Sequence, residues 1–178
     1  MAQPNKRERT AFVTVGTTLF EGLIQAMVDP RVLDKLSDLG FTKLVLQYGK
    51  GTKPVLSSTS PPPARLKVEM YDFKKTLVDD MQRADWIVGH AGAGTVSEAL
   101  SYENKKLVVV INTALMHNHQ TELAHAMRDR HHLFVVDNAA DLLEANTWDR
   151  IADFQPVPLR AGDPYDFPRL LDAFLSEA

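Results

Sequence analysis

Leu107-Val108-Val109-Val110-Ile111 decides the fold class of this chain, because an unbroken apolar run of this length predicts a strand that is covered on both faces. Such strands are typical of parallel sheets with helices packed on either side. Helical patterns flank the run, at 94–103 before it and at 118–129 after it. Strand and helix therefore alternate around this run, which indicates βαβ units.

The same alternation extends over most of the chain. Further β-rich runs predict strands at 10–15, 43–48, 66–71, 86–88 and 133–136. Helical spacing predicts helices at 20–28, 30–39, 77–83 and 168–175. Asp29 followed by Pro30 is the typical start of a helix, with an N-cap residue and then proline in the first turn. We therefore expect an α/β fold with a Rossmann-like parallel sheet and helices on both of its faces.

Length and composition limit the class of protein. With 178 residues, the chain is interpreted as a single domain with a core over 10–155 and a tail over 156–178. A net charge of −3 argues against a nucleic-acid partner, and the lack of cysteine excludes a disulfide scaffold and a thiol nucleophile. The polar start and the lack of a long apolar run predict a cytoplasmic protein.

The stretch Gly89-His90-Ala91-Gly92-Ala93-Gly94-Thr95 leads from a predicted strand into a predicted helix. Gly92 and Gly94 let backbone N–H groups approach a ligand closely, and a helix N-terminus favours an anion, most naturally a phosphate. Thr95 is a candidate helix cap, and Glu98 lies one turn further on the same face, where it suits ribose hydroxyls. The alternative is an ordinary turn with a capping threonine and a solvated glutamate.

Two other loops follow strands and carry polar residues. Gly16-Thr17-Thr18 suits contacts with a diphosphate or a sugar, or is an ordinary helix start. His117-Asn118-His119-Gln120 begins a helix, and its amide and imidazole groups suit sugar hydroxyls. No third ligand accompanies its two histidines, so we expect no metal site. For His90 the alternatives are a phosphate donor, a general base and a structural histidine, and its place beside the glycine turn favours the phosphate donor.

A dinucleotide site is the main competing interpretation. Gly92-Ala93-Gly94-Thr95-Val96-Ser97 has the first two glycines of the dinucleotide-binding fingerprint but lacks the third. The next strand ends at Asn112 instead of the expected acidic residue. These departures disfavour a dinucleotide-dependent oxidoreductase domain. This interpretation and that of a non-catalytic scaffold with the same fold are kept as the two alternatives.

Three motifs, in this order, resemble one known family. They are Phe12-Val13-Thr14-Val15-Gly16-Thr17-Thr18, the stretch from Asp85 to Thr95, and Asn118-His119-Gln120 with Glu122-Leu123-Ala124. They are similar to the catalytic subunit of the two-part UDP-N-acetylglucosamine (UDP-GlcNAc) transferase of asparagine-linked glycosylation. They also resemble the nucleotide-sugar half of the bacterial glycosyltransferase that makes the lipid-linked peptidoglycan precursor. The resemblance covers about residues 12–136.

The resemblance implies the C-terminal, donor-binding half of a GT-B glycosyltransferase. It implies inverting, β1,4 transfer of GlcNAc from UDP-GlcNAc to dolichyl-diphosphate-GlcNAc, without a metal or a cofactor. A membrane-anchored partner subunit would bind the acceptor and recruit the chain to the cytosolic face of the endoplasmic reticulum. By analogy with the bacterial enzyme, the partner would also supply the general base, so the isolated chain is expected to be nearly inactive.

The resemblance also assigns roles to residues. Gly16, Thr17 and Thr18 line the diphosphate side of the cleft, and Glu98 contacts the ribose. The diphosphate itself is held by the second motif, in which the substrate-binding residues are His90, Ala91, Gly92, Ala93, Gly94 and Thr95. Asn118, His119 and Gln120 contact the donor sugar.

The C-terminal tail is a candidate docking element. Its apolar residues at helical spacing predict one apolar face, formed by Phe167, Leu170, Leu171, Phe174 and Leu175. This face packs against the partner subunit or against the chain's own domain, and the pattern alone does not separate the two.

Overall fold

The computed structural model describes residues 8–113 and 118–159, and for residues 118–120 it describes the backbone only. Within these ranges six strands form one parallel sheet in the order β3-β2-β1-β4-β5-β6. The strands are β1 (Thr10–Thr14), β2 (Lys43–Gln47), β3 (Lys67–Tyr71), β4 (Trp86–His90), β5 (Lys106–Val110) and β6 (Phe134–Val136). The predicted Rossmann-like parallel sheet is confirmed.

Helices connect the strands and cover both faces of the sheet. They are α1 (Glu21–Met27), α2 (Pro30–Asp38), α3 (Val78–Arg83), α4 (Ala93–Leu100), α5 (Asn118–Asp129) and α6 (Ala145–Asp153), with a 3₁₀ helix at Ala139–Leu143. Asp29 caps α2 as predicted, because its side chain accepts a 3.0 Å hydrogen bond from the Arg31 amide. None of the described helices is long and apolar enough to cross a bilayer.

Alternate residues of each strand enter two separate apolar layers. Val13 of β1 and Val88 of β4 pack with the layer that contains α1, α2, the 3₁₀ helix and α6. Phe12 and Ile87 point to the opposite face, into the layer built from α3, α4 and α5. Both faces of the central strands are thus buried under helices, which explains why the apolar run at β5 is unbroken.

The sequence analysis did not predict two helices, the 3₁₀ helix and α6. The signal for α6 was its i, i+3 pair Trp148 and Ile151, both of which are buried. Trp148 stacks on Trp86 at 6.5 Å between ring centroids and donates its indole N–H to the Leu142 carbonyl at 2.7 Å. The predicted helix at 168–175 and the apolar tail face lie outside the described residues.

Candidate functional site

The three loops singled out by sequence follow β1, β4 and β5, which are neighbours in the middle of the sheet. Because all the strands are parallel, these loops leave from the same edge. The sheet order therefore brings Gly16–Thr18, the β4–α4 turn and the N-terminus of α5 to one end of the domain. Ligands of open α/β sheets bind at this carboxyl edge.

The turn after β1 is a tight one. Gly16 has a φ of 57°, a left-handed backbone that favours glycine, and the Thr18 amide donates to the Val15 carbonyl at 3.0 Å. A Cβ at Gly16 would lie 3.4 Å from Cε1 of His90 and 3.8 Å from Oγ1 of Thr95. The turn after β1 thus faces the turn between β4 and α4 directly.

The β4–α4 turn is shorter than the sequence predicted. Gly89 and His90 are the last residues of β4, where Gly89 pairs with Thr14 and with Val109. A Cβ at Gly89 would lie 3.2 Å from the Thr14 carbonyl oxygen, so glycine keeps the strands at pairing distance. Of the stretch from Gly89 to Thr95, the first two residues belong to β4 and the last three to α4, so only Ala91 and Gly92 separate the strand from the helix.

The predicted helix cap is also corrected. The helix begins at Ala93, with Gly92 as the N-cap in an extended backbone and the Val96 amide bonded to the Gly92 carbonyl at 2.9 Å. Thr95 is therefore the third helical residue and does not cap. No side chain of the described chain caps α4, so the N–H groups of its first turn are available to a ligand. N–H groups without a capping side chain, at the positive end of a helix dipole, are typical of an anion-binding position.

His90 lies between the two turns and is only 7% exposed. Its Nε2 is 3.5 Å from Thr18 Oγ1, and its Nδ1 is buried without a hydrogen-bond partner among the described residues. Burial lowers the pKa of the His90 imidazole below its ordinary value, so the ring is neutral near pH 7. His90 therefore lies against both turns, and its predicted role as a phosphate donor stays a prediction.

This burial predicts a pH dependence of folding. Because the folded-state pKa of His90 lies below the unfolded value of 6.5, the unfolded chain binds a proton that the folded chain excludes. The contribution to stability is therefore complete above that value and is lost as the pH falls below it. We expect His90→Asn to flatten the fall in the free energy of unfolding between about pH 7.5 and about pH 5.5 in urea titrations.

His131→Asn is the matched control for the loss of one histidine. His131 is exposed and has a φ of 59°, a conformation that asparagine tolerates. In this control, the free energy of unfolding should fall with decreasing pH as steeply as in the wild type. A His90→Asn slope equal to that of the wild type would show that the buried ring does not govern the pH response.

The helix α4 places two more predicted site residues. Thr95 Oγ1 is directed towards the Gly16 turn, and Glu98 lies one helical turn further along. Burial, followed by the negative charge of Glu98, raises the pKa of the Tyr102 hydroxyl. The Glu98 carboxylate thus lies near the Tyr102 hydroxyl, three residues after Thr95 in α4, and a carboxylate can accept hydrogen bonds from hydroxyl groups.

The third predicted loop also reaches the carboxyl edge, but the structure describes only the backbone of residues 118–120. Asn118, His119 and Gln120 form the first turn of α5, as the sequence predicted, and their side chains lie outside the described part of the structure. Their predicted contact with a donor sugar remains a prediction. Among the side chains that the structure describes, which leave out those of residues 114–120, no three potential metal ligands form a group.

A cavity of about 870 Å³ lies at the opposite, amino edge of the sheet, near the starts of β4 and β5. None of the predicted site residues lines it. Lys105 donates there to the Ala84 carbonyl at 2.6 Å, and Lys106 to the Ile151 and Ala152 carbonyls at 2.7 Å. These contacts hold the ends of secondary-structure elements at the amino edge, whereas the predicted site residues lie at the carboxyl edge.

One residue of the site was missed by the sequence analysis. Gln47 ends β2 and is 1% exposed, and its amide contacts the backbone of the Gly16 turn. The available signal was a lone polar residue at the end of the apolar run Leu44-Val45-Leu46. A buried amide must be hydrogen-bonded, so such a residue implies a polar partner at that edge.

Comparison with known proteins identifies the family. The Glycosyltransferase family 28 C-terminal domain matches residues 10–144. The human "UDP-N-acetylglucosamine transferase subunit ALG13" is 44% identical over 127 residues, which cover 71% of this chain and 11% of the human protein. This chain thus corresponds to about a tenth of that relative's length.

Solved structures show the same fold. An NMR structure of ALG13 has a TM-score of 0.67 at 23% identity and covers 92% of this chain and 95% of that chain. The crystal structure of MurG from Acinetobacter baumannii has a TM-score of 0.60 at 17% identity and covers 96% of this chain and 50% of MurG. The fold is therefore that of one half of a GT-B glycosyltransferase. The chain belongs to the family of the glycosyltransferase family 28 C-terminal domain and is a relative of the UDP-N-acetylglucosamine transferase subunit ALG13.

Proposed function

We propose that this chain is the donor-binding subunit of a UDP-GlcNAc transferase that adds a β1,4-linked GlcNAc to dolichyl-diphosphate-GlcNAc. The observation that carries the proposal is the pair of facing turns, Gly16–Thr18 and Ala91–Gly92, with the uncapped N-terminus of α4 beside them. The name of the human relative, a UDP-N-acetylglucosamine transferase subunit, supports the choice of donor.

The diphosphate of the donor would lie at the first turn of α4. Its negative charge is stabilised there by backbone N–H groups and by the positive end of the helix. A Cβ built on Gly94 meets no atom within 4 Å, so open space lies over this turn. Thr17, Thr18 and Thr95 would line this space with hydroxyl groups, and Glu98 would accept the ribose hydroxyls.

The reaction would be an inverting displacement at C1 of GlcNAc. The hydroxyl oxygen of the acceptor forms the new bond to C1, and the bond from C1 to the UDP oxygen breaks with its electron pair. Negative charge then develops on the leaving diphosphate, where preorganised N–H donors stabilise it most effectively. In this proposal these donors, without a metal or a cofactor, provide the electrostatic stabilisation.

The acceptor hydroxyl must also lose its proton to a general base. We place that base on the partner subunit. His90 is buried beneath the turns, and its Nε2 is turned towards Thr18, which suits support of the turn better than contact with the acceptor. Asn118, His119 and Gln120 at the start of α5 would contact the donor sugar.

The partner subunit would be membrane-anchored and would bring this chain to the cytosolic face of the endoplasmic reticulum. A lipid-linked acceptor stays in the membrane, so the donor-binding half would meet the acceptor-binding half at the membrane surface. The two halves would close around the carboxyl edge of the sheet.

A reconstituted transfer assay tests the proposal. The chain alone, the candidate partner alone and the co-purified complex are given UDP-GlcNAc labelled in the sugar and a dolichyl-diphosphate-GlcNAc analogue. We expect labelled disaccharide only from the complex. Transfer by the chain alone would contradict the division of labour, and the lack of transfer by an intact complex would contradict the proposed reaction.

The same assay tests Glu98. We expect Glu98→Gln to raise the KM for UDP-GlcNAc about tenfold, because a charge-assisted hydrogen bond to the ribose becomes a neutral one. Glu103→Gln is the matched control, since Glu103 is an exposed glutamate just beyond the same helix. Equal KM values for the two variants would remove Glu98 from the ribose site.

A further inference from the structure

Gln47 occupies a central position in the sheet. It is the last residue of β2, which lies between β3 and β1, so its side chain sits where three strands end together. It is 1% exposed, although glutamine is mostly found on protein surfaces. A buried amide of this kind is tolerated only when its oxygen and nitrogen both find partners.

The oxygen of the Gln47 amide accepts hydrogen bonds from the end of β1. The Thr14 hydroxyl donates to Oε1 at 2.6 Å, the Gly16 amide at 2.9 Å and the Val15 amide at 3.1 Å. The Gly16 amide is also 3.1 Å from Thr14 Oγ1, so the hydroxyl and the amide oxygen share this donor. One side-chain oxygen thus binds three consecutive residues at the end of β1.

The nitrogen of the same amide closes the arrangement. Gln47 Nε2 donates to the Gly16 carbonyl and to the Asp72 carbonyl, both at 2.8 Å. The turn residue Gly16 is therefore held by its N–H and by its C=O, and is tied through Gln47 to the end of β3. Rotating the amide by 180° would set its N–H groups against two backbone N–H groups and its oxygen against two carbonyl oxygens, so the partners fix its orientation.

The loop that follows Gln47 supports the turn from the same side. Gly49 has a φ of 61°, and a Cβ there would lie 3.0 Å from the Gly16 carbonyl oxygen and from Val15 Cγ2. Glu21, at the start of α1, accepts a 2.7 Å hydrogen bond from the Thr52 amide. The backbone after β2 therefore packs directly against the backbone after β1.

We propose that Gln47 is a positioning residue of the donor site, because it sets the Gly16–Thr18 turn at its distance from His90 and from the N-terminus of α4. Gln47 acts through the turn and does not touch the donor. The inference rests on the proposed function, in which this turn lines the diphosphate. Its consequence is that substrate affinity depends on a residue that belongs to none of the glycine motifs.

Two substitutions separate the contributions of the amide. Gln47→Met keeps an unbranched side chain of similar size and removes every hydrogen bond. Gln47→Glu keeps an oxygen that can accept from Thr14, Val15 and Gly16 but cannot donate to the Gly16 and Asp72 carbonyls. Leu142→Ala is the matched control for lost stability, because Leu142 is fully buried and its carbonyl accepts from Trp148, which stacks on Trp86 at the start of β4.

Two measurements are made on the full chain with each variant. Amide hydrogen exchange at Val15 and Gly16 reports the turn without any ligand, and calorimetric titration with UDP-GlcNAc reports the donor site. For Gln47→Met, which removes the acceptor of both amides, we expect exchange there to become at least about tenfold faster. Gln47→Glu keeps that acceptor and should leave the exchange rates closer to those of the wild type. Both variants lose the hydrogen bond to the Gly16 carbonyl, so for both we expect donor affinity to fall about tenfold or more. Leu142→Ala, at a similar loss of Tm, should change neither quantity at this turn.

The outcomes are distinct. Unchanged exchange at Val15 and Gly16 in Gln47→Met, or a loss of donor affinity in the two Gln47 variants no greater than that of Leu142→Ala, would overturn the positioning role. If the wild-type chain bound no UDP-GlcNAc, with or without its partner, while the Gln47 variants still loosened the turn, the proposed donor site would be wrong. Gln47 would then stabilise the turn without having a role in donor binding.

Discussion

Replacing Gly92 with alanine is expected to weaken UDP-GlcNAc binding about a hundredfold. A Cβ at this position would overlap Nε2 of His90 and lie 2.8 Å from its Cε1. The ring has little room to withdraw, because it is 93% buried and a Cβ on Gly16 would already lie 3.4 Å from it. The methyl group must therefore displace the ring or the turn, and either shift disturbs both sides of the site. Calorimetric titration with UDP-GlcNAc measures the loss.

A double-mutant cycle distinguishes a local clash from general damage. Overpacking should lower the free energy of unfolding of Gly92→Ala by about 1–3 kcal/mol. Gly92→Ala in a His90→Ala background should cost less than about 0.5 kcal/mol, because the atoms that the methyl group meets are gone. Gly92→Ala could lower the free energy of unfolding equally in the wild-type and His90→Ala backgrounds, or it could bind the donor like the wild type. Either result would show that the packing assigned to His90 and Gly92 is wrong.

Gly94→Ala is expected to separate binding from stability. Gly94 is exposed, is the second residue of α4, and would place its Cβ in open space. Alanine in a helix should keep the free energy of unfolding or raise it by about 0.4–1 kcal/mol. If the diphosphate fills that open space, the same methyl group should weaken UDP-GlcNAc binding by about tenfold or more, because it separates the anion from the backbone N–H groups.

Gly22→Ala is the matched control for this variant. Gly22 is likewise exposed and is the second residue of its helix, α1, and a Cβ there would make ordinary contacts at 3.7 Å with Ala139 and at 3.8 Å with Phe20. It should be about as stable as Gly94→Ala and should bind the donor like the wild type. Equal donor affinities for Gly94→Ala and Gly22→Ala would place the diphosphate somewhere other than the start of α4.

The architecture was predictable because its determinants are local. Apolar runs such as Leu107–Ile111, broken by helical patterns, are sufficient to predict parallel strands with helices on both faces. The two helices between 139 and 153 were missed, although Trp148 and Ile151 have helical spacing. Their packing depends on Trp86, a residue far away in the sequence, and a local pattern does not show such a contact.

The site was predictable in its motifs and less so in its boundaries. Glycine-rich composition suggests a loop at Gly89, yet pairing with β1 and β5 extends the strand through His90. That extension moves the helix start to Ala93 and takes Thr95 out of the capping position. Gln47 could not be assigned from sequence, because its five hydrogen bonds reach residues 25 to 33 positions away.

The most direct test of the donor site follows backbone amide resonances of the isotope-labelled chain during titration with UDP, with uridine and with NADH. We expect UDP to shift the amides of Gly16–Thr18 and of Ala93–Thr95 in a saturable way, because these N–H groups surround the diphosphate position. Uridine has no phosphate and should not shift these amide resonances. NADH should not compete with UDP for binding. Saturable binding of UDP that leaves both groups of amides unshifted would contradict the site.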